Sequence, residues 1–169
     1  MSRVDGAGQG IEVRVSSKVE LGESPAKVLE AIGNIFPEFP QSEKLFEPNF
    51  PLSNNPRSFS AVGVSISNLL ELAASQRILD TALDSMSASL NGEHTRFRLS
   101  RQAALAGKLS FTVIGERPLG GTILIDLEGE DLDIWLEEAT WHPGREEIPR
   151  NIGDDLQMFS DGEPRGWVN

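Results

Sequence analysis

The sequence predicts an α+β fold: a single two-layer domain with a mostly antiparallel β-sheet and helices packed on one face. Several segments alternate apolar and polar residues, which is the period of a half-buried strand. Other segments repeat apolar residues at spacings of three and four, as amphipathic helices do. Turns join neighbouring strands, and no series of strand–helix–strand units occurs, so an antiparallel sheet is favoured over a parallel one.

The first predicted strand covers residues 11–21, where branched apolar residues alternate with polar ones. Ser24 and Pro25 then supply the N-cap and first-turn proline of a helix that Pro37 ends. The proline-rich stretch that follows predicts only short strands, around 44–50 and 59–64.

The longest helix is predicted over residues 68–90, because its apolar residues fall on one stripe. Asn68, with Glu71 three positions later, resembles a capping box at its start. Asn91 and Gly92 are typical of its end.

The remaining elements are shorter. The strands over 109–113 and 123–127 are separated by a turn and are expected to form an antiparallel hairpin. In order, we predict a strand over 95–99, a helical turn over 101–106, strands over 109–113 and 123–127, and a helix over 132–139.

Three regions follow from these patterns: a glycine-rich flexible leader (1–10), the α+β domain (11–139) and an acidic, disordered C-terminal tail (140–169). The start of the chain has no apolar segment typical of a signal peptide, and no stretch is long enough to span a membrane. The absence of cysteine excludes disulfides and thiolate zinc sites. We therefore expect a cytoplasmic protein without a membrane partner.

Charge is unevenly distributed along the chain. With 15 basic and 26 acidic residues the net charge is -11, which argues against indiscriminate binding to nucleic acid or anionic lipid. Residues 94–117 nevertheless carry five basic side chains and one acidic one. This basic island predicts a local site for an anion.

The island has a geometry suited to phosphate. Arg96 and Arg98 leave the same side of a strand about 6.6 Å apart, and arginine matches phosphate oxygens in a bidentate way. Backbone N–H groups at the start of the next helical turn also favour an anion. The predicted RNA- or phosphate-binding residues are Arg77, Arg96, Arg98, Arg101, Gln102 and Lys108.

Segments in and around the island resemble the archaeal uncharacterised protein family 0201. The resemblance covers roughly residues 11–138 and implies a compact α+β domain similar to a ribosomal large-subunit protein, in a family grouped with RNA-binding proteins. It implies no catalytic residues. Its most specific motifs lie at residues 76–82, 95–104, 107–111 and 118–120.

The leading hypothesis is therefore a non-enzymatic, cytoplasmic RNA-binding domain with no cofactor, no metal and no catalytic residue. In a second interpretation, the arginines only pair with acidic neighbours across strands. A protein-interaction module that uses the acidic tail is a further alternative. The last is an enzyme for a phosphorylated small molecule, which would have to bring Arg77, Arg101, Lys108 and Asp80 together.

Overall fold

The structure is a computed structural model, and it describes residues 10–41, 57–148 and 152. Four strands form one sheet with helices packed alongside it, which confirms the predicted α+β class. The elements are β1 (Glu12–Val19), α1 (Pro25–Ile35), β2 (Arg57–Val62), α2 (Ser67–Ser75), α3 (Leu79–Ser87), β3 (His94–Ser100), α4 (Arg101–Leu105), β4 (Thr122–Glu128), α5 (Leu132–Ala139) and α6 (Gly144–Glu147).

The strand order in the sheet is β2-β1-β4-β3, and every neighbouring pair is antiparallel. The predicted hairpin of 109–113 with 123–127 is wrong, because β4 pairs with β1 and β3 instead. Phe111 instead forms an isolated bridge to Leu99, on the outer side of β3, and its ring centroid lies 5.8 Å from that of Phe97. In its central position β4 has hydrogen-bonded neighbours on both sides, and its inward side chains are completely buried.

The single helix predicted over 68–90 is also wrong, since the chain turns at Arg77 between α2 and α3. Arg77 has a φ of 61°, in the left-handed region. The N–H of Ile78 donates to the Ala73 carbonyl at 2.9 Å, and that of Arg77 donates to the Ala74 carbonyl at 3.1 Å. This pair of bonds is a Schellman C-cap, which usually has glycine where Arg77 stands.

Side-chain capping agrees with the sequence at one helix and differs at another. Ser24 caps α1, with its Oγ accepting from the Lys27 N–H at 3.4 Å. The capping box predicted at Asn68 is wrong. Its amide donates to the carbonyls of Asn34 (3.2 Å) and Ile35 (3.0 Å), which lie at the end of α1 and lack partners within their own helix.

The core lies between the helices and one face of the sheet. Thr95 Oγ1 donates to the Met86 carbonyl at 2.6 Å and so ties β3 to α3. Among the described residues no helix is long and apolar enough to cross a membrane. The largest side chains that are almost wholly buried include Phe36, Phe39, Phe59, Leu29, Ile32, Ile66 and Leu83.

The described chain continues past Ala139, where the sequence places the end of the domain, into α6. Arg145 in α6 is buried and donates to the Glu137 carbonyl at 2.9 Å. The predicted strand around 44–50, the leader up to residue 9, and tail residues 149–151 and 153–169 lie outside the described residues.

Candidate nucleic-acid interface

Helices cover one face of the sheet, and the even-numbered strand residues point to the other face, which we call the open face. Residues opposite each other in register, such as Arg14, Asp126 and Arg96, lie side by side on it. All of its residues are exposed or half-buried. They are Ser58, Ser60 and Val62 of β2; Glu12, Arg14, Ser16 and Lys18 of β1; Thr122, Leu124, Asp126 and Glu128 of β4; and His94, Arg96, Arg98 and Ser100 of β3.

One half of the open face contains all three of its carboxylates, and we call it the carboxylate half. Asp126 accepts a hydrogen bond from Arg96 Nε at 2.8 Å, and its Oδ1 lies 3.0 Å from His94 Nε2. Arg96 therefore pairs across strands, as the salt-bridge interpretation expects. Glu12 and Glu128 lie opposite each other at the far end of this half.

The other half, which we call the hydroxyl half, contains no carboxylate among its described residues. Lys18 and Arg98 are exposed there, and neither forms an ion pair with a described residue. Arg98 thus differs from Arg96, although the two are neighbours on one strand. The hydroxyl half is formed by Ser16, Lys18, Ser58, Ser60, Arg98, Ser100, Thr122 and Leu124.

Arg101 lies inside the protein rather than on the open face, with 5% of its surface exposed. Its guanidinium donates to Ser17 Oγ at 2.8 Å and to the Lys18 carbonyl at 2.5 Å, and it forms an ion pair with Glu23. Gly121 has a φ of 79°, and a Cβ there would lie 2.8 Å from Arg101 Nη2, so a larger residue would displace the guanidinium as well as strain the backbone. The contacts join the start of α4 to β1 and to the loop before α1.

Glu23 has a pKa below its usual range as a result of these contacts. Partial burial alone would raise this pKa. The backbone N–H of Glu20, which donates at 2.8 Å, and the hydrogen bond and positive charge of Arg101 together outweigh burial. The carboxylate is therefore ionised at neutral pH, and it neutralises Arg101.

Gln102 is exposed at the start of α4, where it lines a shallow groove of about 330 Å³ between α1 and α4. Leu105 and Leu119 also line the groove. The Gln102 side chain is accessible to a ligand here, but it belongs to a different surface from the hydroxyl half.

Arg77 and Lys108 form a third location, next to the helices. The Gln76 amide donates to the Leu109 carbonyl at 2.9 Å and accepts from the Leu109 N–H at 2.8 Å. Since Arg77 follows Gln76 and Lys108 precedes Leu109, these two bonds place both cations in the same region. Arg77 and Lys108 are both exposed, and neither forms an ion pair with a described residue. The six predicted residues are therefore not brought together: Arg101 is buried, and the other five are divided among the open face, the α1–α4 groove and this edge.

Of the cluster required by the small-molecule enzyme, Arg101 is buried against Glu23 and Asp80 is paired with other residues. Asp80 accepts from Arg145 Nη2 at 2.8 Å, and its Oδ1 lies 3.0 Å from His142 Nε2. Burial raises its pKa, but these hydrogen bonds and charges outweigh burial and hold the pKa below its usual value. Among the described residues no group of three potential metal ligands lies together.

Sequence reasoning missed Arg14 and Lys18. Their signal was present, because they alternate with buried residues in β1 and must leave the same side of it as Ser16. Summing charge along the chain hid them, since they lie in an acidic stretch of sequence. The antiparallel sheet places Ser16 opposite Leu124, whose other neighbour is Arg98.

Comparison with known proteins finds several archaeal relatives, although no family model matches the sequence. The chain is 32% identical over 122 residues to a UPF0201 protein of Methanocaldococcus jannaschii, covering 72% of this chain and 68% of that one. It is 26% identical over 143 residues to a UPF0201 protein of Methanothermobacter thermautotrophicus, covering 85% and 98%. A UPF0200/UPF0201 protein of Archaeoglobus fulgidus is 29% identical over 103 residues, which are 61% of this chain but span only 29% of that longer protein.

Solved structures show the same fold. A crystal structure of a UPF0201 protein from Methanococcus jannaschii superposes with a TM-score of 0.63 at 26% identity, covering 79% of this chain and 96% of that one. Another crystal structure, of an uncharacterised UPF0201 protein, superposes with a TM-score of 0.60 at 25% identity, covering 77% and 94%. The similarity therefore extends over most of the described domain.

Proposed function

The chain belongs to the archaeal UPF0201 family, and from that premise we propose that it is a non-enzymatic domain that binds RNA through its open face. The observation that carries the proposal is the hydroxyl half, where Lys18 and Arg98 have no carboxylate partner among the described residues. An exposed cation that the protein does not neutralise is available to neutralise a phosphate. Arg14, at the border of this half, adds a third such cation.

The net charge of the whole protein is compatible with a site of this size. Arg98 lies opposite Leu124, and Glu128 is four residues further along β4, which corresponds to about 13 Å. The Debye length at physiological salt is only about 8 Å, so the exposed carboxylates at that end are largely screened. Asp126 is nearer, but Arg96 neutralises it. A phosphate on the hydroxyl half therefore meets a locally positive field.

The other predicted residues take different roles in this proposal. Arg96 contributes by neutralising Asp126, and Arg101 by fixing the start of α4. An RNA would contact Gln102, Arg77 or Lys108 only if it extended beyond the edge of the sheet.

Filter binding of total RNA, cut into fragments too short to extend beyond the edge of the sheet, tests the proposal. We expect affinity that falls with salt, with a log–log slope of about -2 to -3 for three phosphates. Lys18→Gln/Arg98→Gln should weaken binding at low salt by about tenfold or more and reduce the slope by about 1.5. The matched control, Arg77→Gln/Lys108→Gln, removes the same charge. It should leave the affinity and the slope nearly unchanged.

Two results would overturn the proposal. One is the absence of any salt-dependent affinity for RNA. The other is a loss of affinity in the control variant with none in the open-face variant, which would move the site to the helical edge.

A second candidate function, docking onto a protein partner, is favoured by the loop after Phe111. Val113, Ile114 and Leu119 are 70% or more exposed there, and large exposed apolar groups mark interaction sites. Glu116 holds the loop through two hydrogen bonds with the backbone of Val113, at 3.0 and 3.1 Å.

The acidic tail is the other element that could dock onto a protein partner. Truncating it distinguishes protein docking from RNA binding. The chain should end after Ile152, because removal of α6 would also remove the buried Arg145. Residues 153–169 contain four carboxylates and one arginine. Their loss should leave RNA affinity unchanged or higher if RNA is the ligand, whereas it should abolish binding to a partner that recognises the tail.

A further inference from the structure

We infer that the open face binds double-stranded RNA through the sugar–phosphate backbone, without reading its sequence. This inference rests on the proposed function and specifies the ligand of the same site. It depends on three properties of the open face: the side chains available for stacking, the short hydroxyl side chains, and the spacing of the cations.

The open face lacks the side chains that read single-stranded RNA. Proteins that recognise single strands on a sheet stack the bases on aromatic rings. Among the described residues of the open face, none is phenylalanine, tyrosine or tryptophan, and the only ring belongs to His94. That ring is engaged with Asp126 and lies on the carboxylate half. This leaves contacts to the sugar–phosphate backbone of the RNA as the means of recognition.

The hydroxyl half is instead rich in short side chains. Ser16, Ser58, Ser60 and Thr122 have hydroxyls that form no hydrogen bond with a described residue. A hydroxyl both donates and accepts, so it can pair with a ribose 2′-OH in either sense. Short side chains also leave the surface low, and the minor groove of an RNA duplex is wide and shallow. The two surfaces can therefore approach closely.

Three cations lie on and beside this patch. Arg14 and Lys18 stand two residues to either side of Ser16, hence about 13 Å apart along β1. Arg98 lies two strands away, in register with Ser16 through Leu124, which places it about 12 Å from each. Ser16 lies between Arg14 and Lys18, and Ser60 is its neighbour on β2. Phosphates on the two strands of a duplex lie on either side of its minor groove, so separated cations with hydroxyls beside them suit that ligand better than one flexible strand.

The first experiment compares three probes by fluorescence anisotropy: a short RNA duplex, one of its strands alone, and the DNA duplex of the same sequence. We expect the RNA duplex to bind about tenfold more tightly than the DNA duplex, the effect of losing two hydrogen bonds of modest strength. It should also bind more tightly than the single strand, which keeps its 2′-OH groups but does not hold phosphates at the spacing of the three cations. Equal or tighter binding of the single strand, or of the DNA duplex, would overturn this inference and leave RNA binding intact. If neither RNA bound, the proposed function would fail as well.

The second experiment removes the hydroxyls themselves. Ser16→Ala/Ser60→Ala should weaken binding to the RNA duplex about fivefold or more and leave binding to the DNA duplex unchanged, because only RNA offers a 2′-OH. Ser75→Ala/Ser89→Ala, on exposed serines among the helices, is the matched control and should change neither affinity. Equal losses for RNA and DNA, or no loss for RNA, would refute the role of the hydroxyls.

Discussion

Replacing Arg101 with methionine should destabilise the fold without changing the chemistry of the RNA surface. Methionine keeps an unbranched side chain of similar reach but removes the guanidinium. The change breaks the ion pair with Glu23 and the hydrogen bonds to Ser17 Oγ (2.8 Å) and the Lys18 carbonyl (2.5 Å).

The size of the loss follows from burial of the two partners. Breaking a fully buried ion pair costs about 3–5 kcal/mol, because the remaining charge is left without compensation. Glu23 is 28% exposed, so water recovers part of that cost. We therefore expect Arg101→Met to lower the free energy of unfolding by about 2–4 kcal/mol, which is a large share of the stability of an ordinary domain.

Urea unfolding followed by circular dichroism at neutral pH measures this change. Arg98→Met is the matched control: its side chain is exposed, so its unfolding free energy should stay within about 0.5 kcal/mol of the wild type. The double variant Arg101→Met/Glu23→Gln should be more stable than the sum of the single losses predicts. If Arg101→Met were as stable as the wild type but bound RNA more weakly, the guanidinium would contact the ligand, and our account of Arg101 would be wrong.

Two further variants test the contacts that hold the helices. Asp80→Asn should lower the unfolding free energy by about 1–2 kcal/mol at neutral pH, because it leaves the buried Arg145 unbalanced. Since the pKa of Asp80 is lowered in the fold, this stabilisation is present above the ordinary pKa of 3.8 and is lost as the pH falls through the folded pKa. A difference in unfolding free energy between variant and wild type that persisted unchanged in strong acid would contradict this explanation. Gln76→Ala should cost about 2 kcal/mol, measured by urea unfolding, because both hydrogen bonds to the Leu109 backbone are lost; a change below about 0.5 kcal/mol would show that water replaces them.

Local chemistry explains which elements could be predicted from the sequence. β1 and β3 alternate strictly, and the Ser24–Pro25 start of α1 is encoded in adjacent residues. The turn at Arg77 could not be predicted in this way, because a left-handed residue is normally marked by glycine. The central position of β4 depends on pairing with strands far away in the sequence, which periodicity does not specify.

The candidate site was predictable only in part, for the same reason. That Arg96 and Arg98 share a face follows from their spacing alone. The burial of Arg101 could not be inferred, since Ser17 and Glu23 lie 84 and 78 residues away along the chain. Arg14 and Lys18 join Arg98 only when the sheet is assembled, so the positive surface is a property of the fold rather than of one segment.

The location of the RNA surface is best tested by NMR, by titrating the ¹⁵N-labelled full chain with a short RNA duplex and mapping the amide shifts. We predict that the largest shifts fall on β1, β3 and β4 around Ser16, Lys18, Arg98 and Leu124. Shifts concentrated around Arg77 and Lys108, with those strands unaffected, would contradict an interface on the open face.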